Sequence, residues 1–451
     1  LIKLAKHKGL MLGISAQFLQ YGAALLLLPL IVIKLSPEEV GVWYVFMAVQ
    51  GLAMLMDFGF QPTFARNFAL AFSGAKELQK VGLSGSKQDT PNYALVADVL
   101  KAARAVYIGV ALCVTFLLLT LGSRYIQSLI EDSSLAGKSN VYTAWFIFAF
   151  AVASTLYFSW VSPFLIGADR VDKNYIYLVV NRLIFAGLGT ILLFSGFGLT
   201  GLSLSLLIAV ITSRMIIQVF INPIIKKIKS ESAIYEGVCT KSVISVVWHN
   251  ASRLGLVSLG AFLIARYNIF VISHFVGLVA AASYGISLQI FMAVNASAQL
   301  LFQINLPKMV KARVNGNFRT LKRIFIHSTV FFLCWFLIGS ILVMLLVGFL
   351  LDFIGSGTKL LDMNLLILLG TILLLEGNHT NSALTITTGN QVPFVYPALI
   401  SGGAVVLLST TSGYLGWGLL GIIASRGFVQ LAYNNWKWPV VVLKEIWEME
   451  K

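Results

Sequence analysis

The sequence predicts an all-α polytopic membrane protein, about twelve transmembrane helices in two six-helix lobes around a central cationic cavity. Three observations predict it. Of 451 residues 58% are apolar and 11% charged, and the mean hydropathy of +0.86 lies outside the range of soluble domains. Twelve windows are apolar and long enough to cross a bilayer, which takes about 20 residues. Six arginines, Arg66, Arg182, Arg214, Arg253, Arg266 and Arg426, fall inside these windows, Arg104 near the start of the third being counted with the cytoplasmic charges, and only Asp57 and Glu376 answer the six at similar depth. An arginine at a helix centre costs about 2.5–3.5 kcal/mol on the insertion scale, so such residues face a bundle interior or a water path rather than lipid.

The windows run 10–33, 40–72, 96–121, 141–166, 174–195, 200–223, 248–275, 279–306, 324–350, 363–389, 393–411 and 415–437. The first follows Lys3, Lys6 and Lys8, which mimic the basic start of a signal peptide. Its apolar run is longer than a signal's and further spans follow, so an uncleaved first helix is expected. The chain opens on Leu1 rather than Met and is expected to be trimmed. The second window contains Asp57, Gly59 and Pro62, near which the helix can bend. The fifth and sixth are joined by Gly196-x-Gly198-x-x-Gly201, which matches the dinucleotide-binding pattern but follows no strand and reads as a tight external turn. The eighth carries Asn295, Gln299 and Gln303 at four-residue spacing, one polar stripe on a helix. The tenth holds the polar island Glu376-Gly-Asn-His-Thr-Asn381, and the last two are divided only by Thr411, Ser412 and Gly413.

The formal net charge of +15 follows from basic residues retained on the cytoplasmic face, and no nucleic-acid partner is implied. With the N-terminus inside, 23 of the Lys and Arg residues fall on the cytoplasmic side and 4 on the other, which places both termini in the cytoplasm. The longest basic connector defines an N-terminal lobe 1–225, a cytoplasmic connector 226–247 and a C-terminal lobe 248–451. The lobes repeat each other. Phe46-Met-Ala-Val49 recurs as Phe291-Met-Ala-Val294, Pro62 as Pro307 and Arg66 as Lys311, all at an offset of 245, and Gly41 matches Gly285 at 244. An even number of spans per copy gives both copies the same orientation.

Several chemistries are excluded. No G-x-x-x-x-G-K loop is present to bind a nucleotide. The histidines form no metal pair, and Cys113, Cys239 and Cys334 stand far apart, so no cofactor and no metal site is expected. The sequons Asn250-Ala-Ser252 and Asn295-Ala-Ser297 lie in spans. A membrane glycosyltransferase or polymerase would carry a sizeable external catalytic loop, and every external loop is short.

Leu35-Ser-Pro-Glu-Glu-Val-Gly-Val-Trp-Tyr44, Asp57-Phe-Gly-Phe-Gln-Pro-Thr-Phe-Ala-Arg-Asn67 and Ala71-Phe-Ser-Gly74 resemble the O-antigen flippases of the Wzx type, in the polysaccharide-transport branch of the multidrug/oligosaccharidyl-lipid/polysaccharide exporter superfamily. The resemblance implies translocation of an undecaprenyl-diphosphate-linked oligosaccharide from the inner to the outer leaflet of the bacterial plasma membrane by alternating access. Its partners would be membrane lipids, a proton or sodium ion, and the O-antigen polymerase machinery. Related lipid II flippases usually carry two further spans, which this chain does not show. A cation or drug antiporter of the same superfamily would show a lumen dominated by carboxylates.

Such a substrate combines a diphosphate, a glycan and an apolar tail. Arginine suits the diphosphate because it stays charged when desolvated and presents forked donors, which nominates all six intramembrane arginines. Snorkelling to the interface, or pairing with Asp57 or Glu376, is the alternative for each. For the glycan, Gln17 and Gln20 on the first span and Gln289, Asn295, Gln299 and Gln303 on the eighth offer adaptable hydrogen bonds, unless they join packed spans. Glu376 and Asp57 are the candidates for ion coupling, with a salt bridge or packing cluster as the structural alternative.

Overall fold

The computed structural model describes residues 26–79, 90–131, 133–135, 139–232, 240–389 and 391–448. The elements are α1 (26–34), α2 (Pro37–Met54), α3 (Phe60–Phe72), α4 (Tyr93–Leu117), α5 (Ser123–Glu131), α6 (Ser139–Tyr157), α7 (Val161–Gly167), α8 (Val171–Phe194) and α9 (Gly198–Ser232). They continue as α10 (Thr240–Arg266), α11 (Asn268–Phe275), α12 (Leu278–Val314), α13 (Phe318–Leu342), α14 (Gly348–Phe353), α15 (Met363–Thr387), α16 (Val395–Tyr414), α17 (Gly418–Ala432) and α18 (Asn434–Glu448). Among the described residues the regular structure is all-helical, as expected.

Among the described residues, 10 helical stretches are long and apolar enough to cross a membrane, and they correspond to the second through eleventh windows. Of the first window only its last turns are described. The twelfth is divided at Tyr433 into α17 and α18, each of 15 residues. There Asn434 donates to Ser401 Oγ at 2.9 Å and to Gln430 Oε1 at 3.1 Å, so its amide is satisfied at the break. Averaged hydropathy does not register such an interruption. Outward faces are apolar: α4 exposes Leu112 and Phe116, and α13 exposes Ile338 and Ile341, as lipid-facing helices do.

The second window bends at Phe58–Gly59, with φ of 42° and 74°, rather than at Pro62. The chain leaves α2 through a 3₁₀ turn, Leu55–Asp57, and restarts as α3. Pro62 sits in the first turn of α3, where its missing N–H is no loss.

The chain forms two compact units. One joins the stretch ending at Lys34 to Val49–Ser258; the other joins Leu35–Ala48 to the stretch from Leu259 onward. The changeover falls inside α10, and the first part of α2 goes with the second unit, whereas the connector 226–247 defined the expected lobes. In the first unit Phe64 and Phe68 of α3, Tyr107 of α4, Phe164 of α7 and Ile221 of α9 form the core. Gly167 lets α7 touch α3, since a Cβ there would lie 2.2 Å from Phe68 Cβ. In the second unit Phe302 of α12, Phe325 of α13, Ile386 of α15 and Trp438 of α18 pack together.

Local geometry repeats along the chain. Asn92 and Asn317, 225 positions apart, each cap a helix by accepting the N–H of the third residue on at 3.0 Å. Each of those helices then passes through one turn of π-helix, Leu118–Gly122 and Val343–Val347, at the same offset. Gly196-Phe-Gly-Leu-Thr-Gly201 and Gly416-Trp-Gly-Leu-Leu-Gly421, 220 apart, make the same turn: φ is 81° and 52° at Gly196 and Gly198, 68° and 60° at Gly416 and Gly418. Phe197 N and Trp417 N each donate to the carbonyl five residues back at 3.0 Å. Within the second unit, Tyr44 donates to Gln289 at 2.7 Å, a bond between positions 245 apart. The sequence repeat at 245 thus joins a wider set of structural matches whose offset falls along the chain.

Candidate functional site

Two clusters of charge within the helical spans stand out, one in each unit. In the first unit, Pro163 cannot continue the helix of α6 because it lacks an N–H and its ring opposes the carbonyl four residues back. The chain takes a 3₁₀ turn, Phe158–Trp160, before α7. That turn fixes Trp160, 2% exposed, where α4 and α9 each present an arginine. Arg104 Cζ lies 4.5 Å from the Trp160 ring centroid and Arg214 Cζ 5.0 Å from it, with the Phe158 ring 5.5 Å from Arg214.

The negative face of an aromatic ring attracts a guanidinium by about 0.5–2 kcal/mol. It does not cancel two positive charges. Among the described residues neither Arg104 nor Arg214 makes an ion pair. Among the described residues Arg214 Nε and Nη1 are buried without a hydrogen-bond partner, and Trp160 Nε1 is likewise unsatisfied. Buried donors of this kind are rare, and they suit a site that takes hydrogen-bond acceptors. Beside them Asn181 donates to Ser213 Oγ at 3.2 Å, next to half-buried Arg182.

Asp57, in the same unit, is already engaged. Its Oδ1 accepts from Tyr107 at 2.6 Å and its Oδ2 from Gln61 N at 3.3 Å, so it braces the restart of α3. Arg66 is exposed on α3, and the Arg253 side chain lies outside the described residues.

In the second unit Arg426 of α17, 3% exposed, meets Glu376 of α15. Its Nε donates to Oε1 at 2.8 Å, Nη2 donates to Oε2, and Nη1 donates to the Ala265 carbonyl at 3.3 Å. The pairing with Glu376 that stood as the alternative for Arg426 is the arrangement found within the unit, and Glu376 and Arg426, nominated for different tasks, are one pair. Arg266 is exposed at the end of α10.

Of the glycan candidates, Gln17 and Gln20 lie outside the described residues. Gln289 accepts from Tyr44. Gln299, 9% exposed, donates to Asn295 at 3.4 Å, a contact within α12, and Gln303 is exposed. The stripe is thus partly internal to its helix.

Sequence reasoning missed Arg104 and Trp160. Arg104 was grouped with the cytoplasmic charges although it lies inside the third window, about one helical turn beyond Lys101. Its depth was the signal, together with Trp160-x-x-Pro163, an aromatic residue just before a helix breaker.

No family model and no curated protein matches the chain. Solved structures do. An inward-facing multidrug resistance MATE family transporter of the MOP superfamily aligns with a TM-score of 0.66 at 13% identity, covering 96% of this chain and 95% of that one. An outward-facing structure of such a transporter aligns at 0.60, with 14% identity and coverage of 98% and 96%. A MOP superfamily transporter from Pyrococcus furiosus, described as having reversed polarity of its binding pocket, aligns at 0.53, with 12% identity and coverage of 98% and 96%. At these identities the likeness establishes the fold: this chain has the MATE-like fold along its length.

Proposed function

We propose that the protein is a transporter with a MATE-like fold that moves an anionic lipid-linked substrate, an undecaprenyl-diphosphate-linked oligosaccharide, from the cytoplasmic to the periplasmic leaflet of a bacterial inner membrane. The observation that carries this reading is the Arg104–Trp160–Arg214 cluster, two guanidiniums on one indole with buried donors left unmet. Such a site suits phosphate oxygens, which accept several charge-assisted hydrogen bonds at once. Arg182 and Arg66 stand on the same unit and would extend the positive field. Gln299 and Asn295 would face the glycan, and both termini would be cytoplasmic, as the charge asymmetry of the loops requires. A proton or sodium gradient would supply the coupling, and the O-antigen polymerase would receive the product.

A cation or drug antiporter is the second reading, favoured by the descriptions of the similar structures and by two carboxylates deep within the spans, Asp57 and Glu376; a third, Asp98 at the start of α4, pairs with Lys101 at 3.6 Å. Each carboxylate already has partners, Asp57 in Tyr107 and Gln61, Glu376 in Arg426, which leaves less negative charge for a cationic drug. One experiment separates the two. Expressed in a strain lacking its own O-unit flippase, the chain should restore surface O-antigen. Expressed in a strain lacking its drug exporters, it should leave sensitivity to toxic cations unchanged. The reverse pattern refutes the flippase reading.

A further inference from the structure

Where α4 passes into α5 the helix widens into its π-turn, Leu118–Gly122, and the surface there is hollowed. A groove of about 540 Å³ is lined by Phe116, Leu119 and Leu121 and, further along the chain, by Arg124 and Gln127. Its volume falls within the range of about 300–1,000 Å³ that small ligands fill. The turn is braced from within the unit: Trp145 Nε1 of α6 donates to Ser123 Oγ at 2.9 Å, and a Cβ on Gly122 would lie 2.7 Å from Trp145 Cζ2. The two ends of the groove differ in chemistry. Leu112 and Phe116, each 67% exposed, belong to the lipid-facing side of α4, so the apolar end opens into hydrocarbon. Arg124 stands three residues past the end of the third window at 121, about 4.5 Å along the helix, within a headgroup layer of about 5–7 Å. It is exposed, and among the described residues it makes no ion pair. The next acid along the helix, Glu131, lies two turns on and accepts from Gln127 at 2.7 Å. The second copy differs here. At the offset of 225 that relates the two π-turns, Phe349 stands in place of Arg124 and Asp352 in place of Gln127. The widened turn therefore forms without a cation, and Arg124 serves something other than the turn.

We propose that this groove is a lipid site that seats one anionic phospholipid, an acyl chain along Phe116, Leu119 and Leu121 and the phosphate on the Arg124 guanidinium. Phosphate oxygens accept the paired donors of an arginine, and an apolar groove open to hydrocarbon is filled by a lipid chain. Gln127 holds the Glu131 carboxylate away from the phosphate. The site is independent of what the protein transports. Under the topology proposed above, its lipid belongs to the periplasmic leaflet.

The test exposes the full chain in detergent to a phosphatidylglycerol carrying a diazirine in one acyl chain, with crosslinks mapped by peptide mass spectrometry. Crosslinks should concentrate on residues 116–121 and saturate with lipid. Unlabelled phosphatidylglycerol should displace them at a concentration about tenfold lower than diacylglycerol, which has the chains and no phosphate. Glycerol phosphate, which has the phosphate and no chains, should not displace them. Arg124→Gln should reduce labelling of 116–121 about tenfold, and Arg124→Lys should retain part of it. Labelling of 343–347 in the same molecules should stay constant, which separates loss of the site from loss of the fold. Equal labelling of the two turns, undiminished labelling in Arg124→Gln, or displacement by diacylglycerol as readily as by phosphatidylglycerol means ordinary contact with bulk lipid and overturns the site. Displacement by glycerol phosphate means a soluble phosphate is the ligand and overturns the lipid.

Discussion

Removing Arg104 should stabilise the empty protein and weaken its grip on an anion, two effects of opposite sign from one substitution. Arg104 and Arg214 lie 4.5 and 5.0 Å from the same ring centroid, so their guanidinium carbons are no more than about 9.5 Å apart. With an effective dielectric of about 20, that separation gives a repulsion of about 2 kcal/mol, against about 1 kcal/mol lost with the ring contact. Arg104→Ala should therefore gain about 1 kcal/mol in the absence of anion. With a lipid-linked diphosphate sugar bound, the variant lacks a charge-assisted hydrogen bond worth about 1.5–3 kcal/mol, a loss of about 10- to 150-fold in affinity. Arg104→Lys keeps the charge and gives up the forked geometry, so its affinity should fall between the two. Thermal unfolding in detergent, with and without ligand, reads both quantities. A variant that is destabilised when empty and binds the diphosphate as well as wild type would show that the cluster is a packing element.

Three further outcomes are expected. Glu376→Gln and Arg426→Met, each made alone, should destabilise the protein by about 3–5 kcal/mol, and the double variant should recover most of that loss in the same unfolding measurement; additive losses would mean the two do not depend on each other. Gly285→Ala should cost about 1–3 kcal/mol, because its Cβ would lie 2.3 Å from the Tyr44 ring, and Tyr44→Ala in the same chain should relieve it. A maleimide reagent that does not cross membranes should label Lys359→Cys in intact cells and Lys229→Cys only after permeabilisation, and the opposite pattern would invert the topology.

The sequence by itself determined that the chain is helical and built for lipid, because apolar length is a local property that survives any tertiary arrangement. It placed ten windows where the described helices stand, and the word shared by Phe46–Val49 and Phe291–Val294 announced the repeat. A clearer word, Gly196-Phe-Gly-Leu-Thr-Gly201 against Gly416-Trp-Gly-Leu-Leu-Gly421, went unpaired because only the first copy was read as a motif. Its meaning is conformational: both copies need glycines at positive φ to turn the chain between spans. What the tertiary structure alone decided is which charge meets which. Glu376 and Arg426 are 50 residues apart, Arg104 and Arg214 reach Trp160 from separate helices, and nothing in hydropathy or spacing encodes those meetings. Composition counted six arginines against two acids, but a charge count cannot say that Arg426 is already answered while Arg214 still holds unmet donors. That distinction rests on distances of a few ångströms between helices, set by packing at residues such as Pro163 and Gly377 rather than by the charged residues themselves.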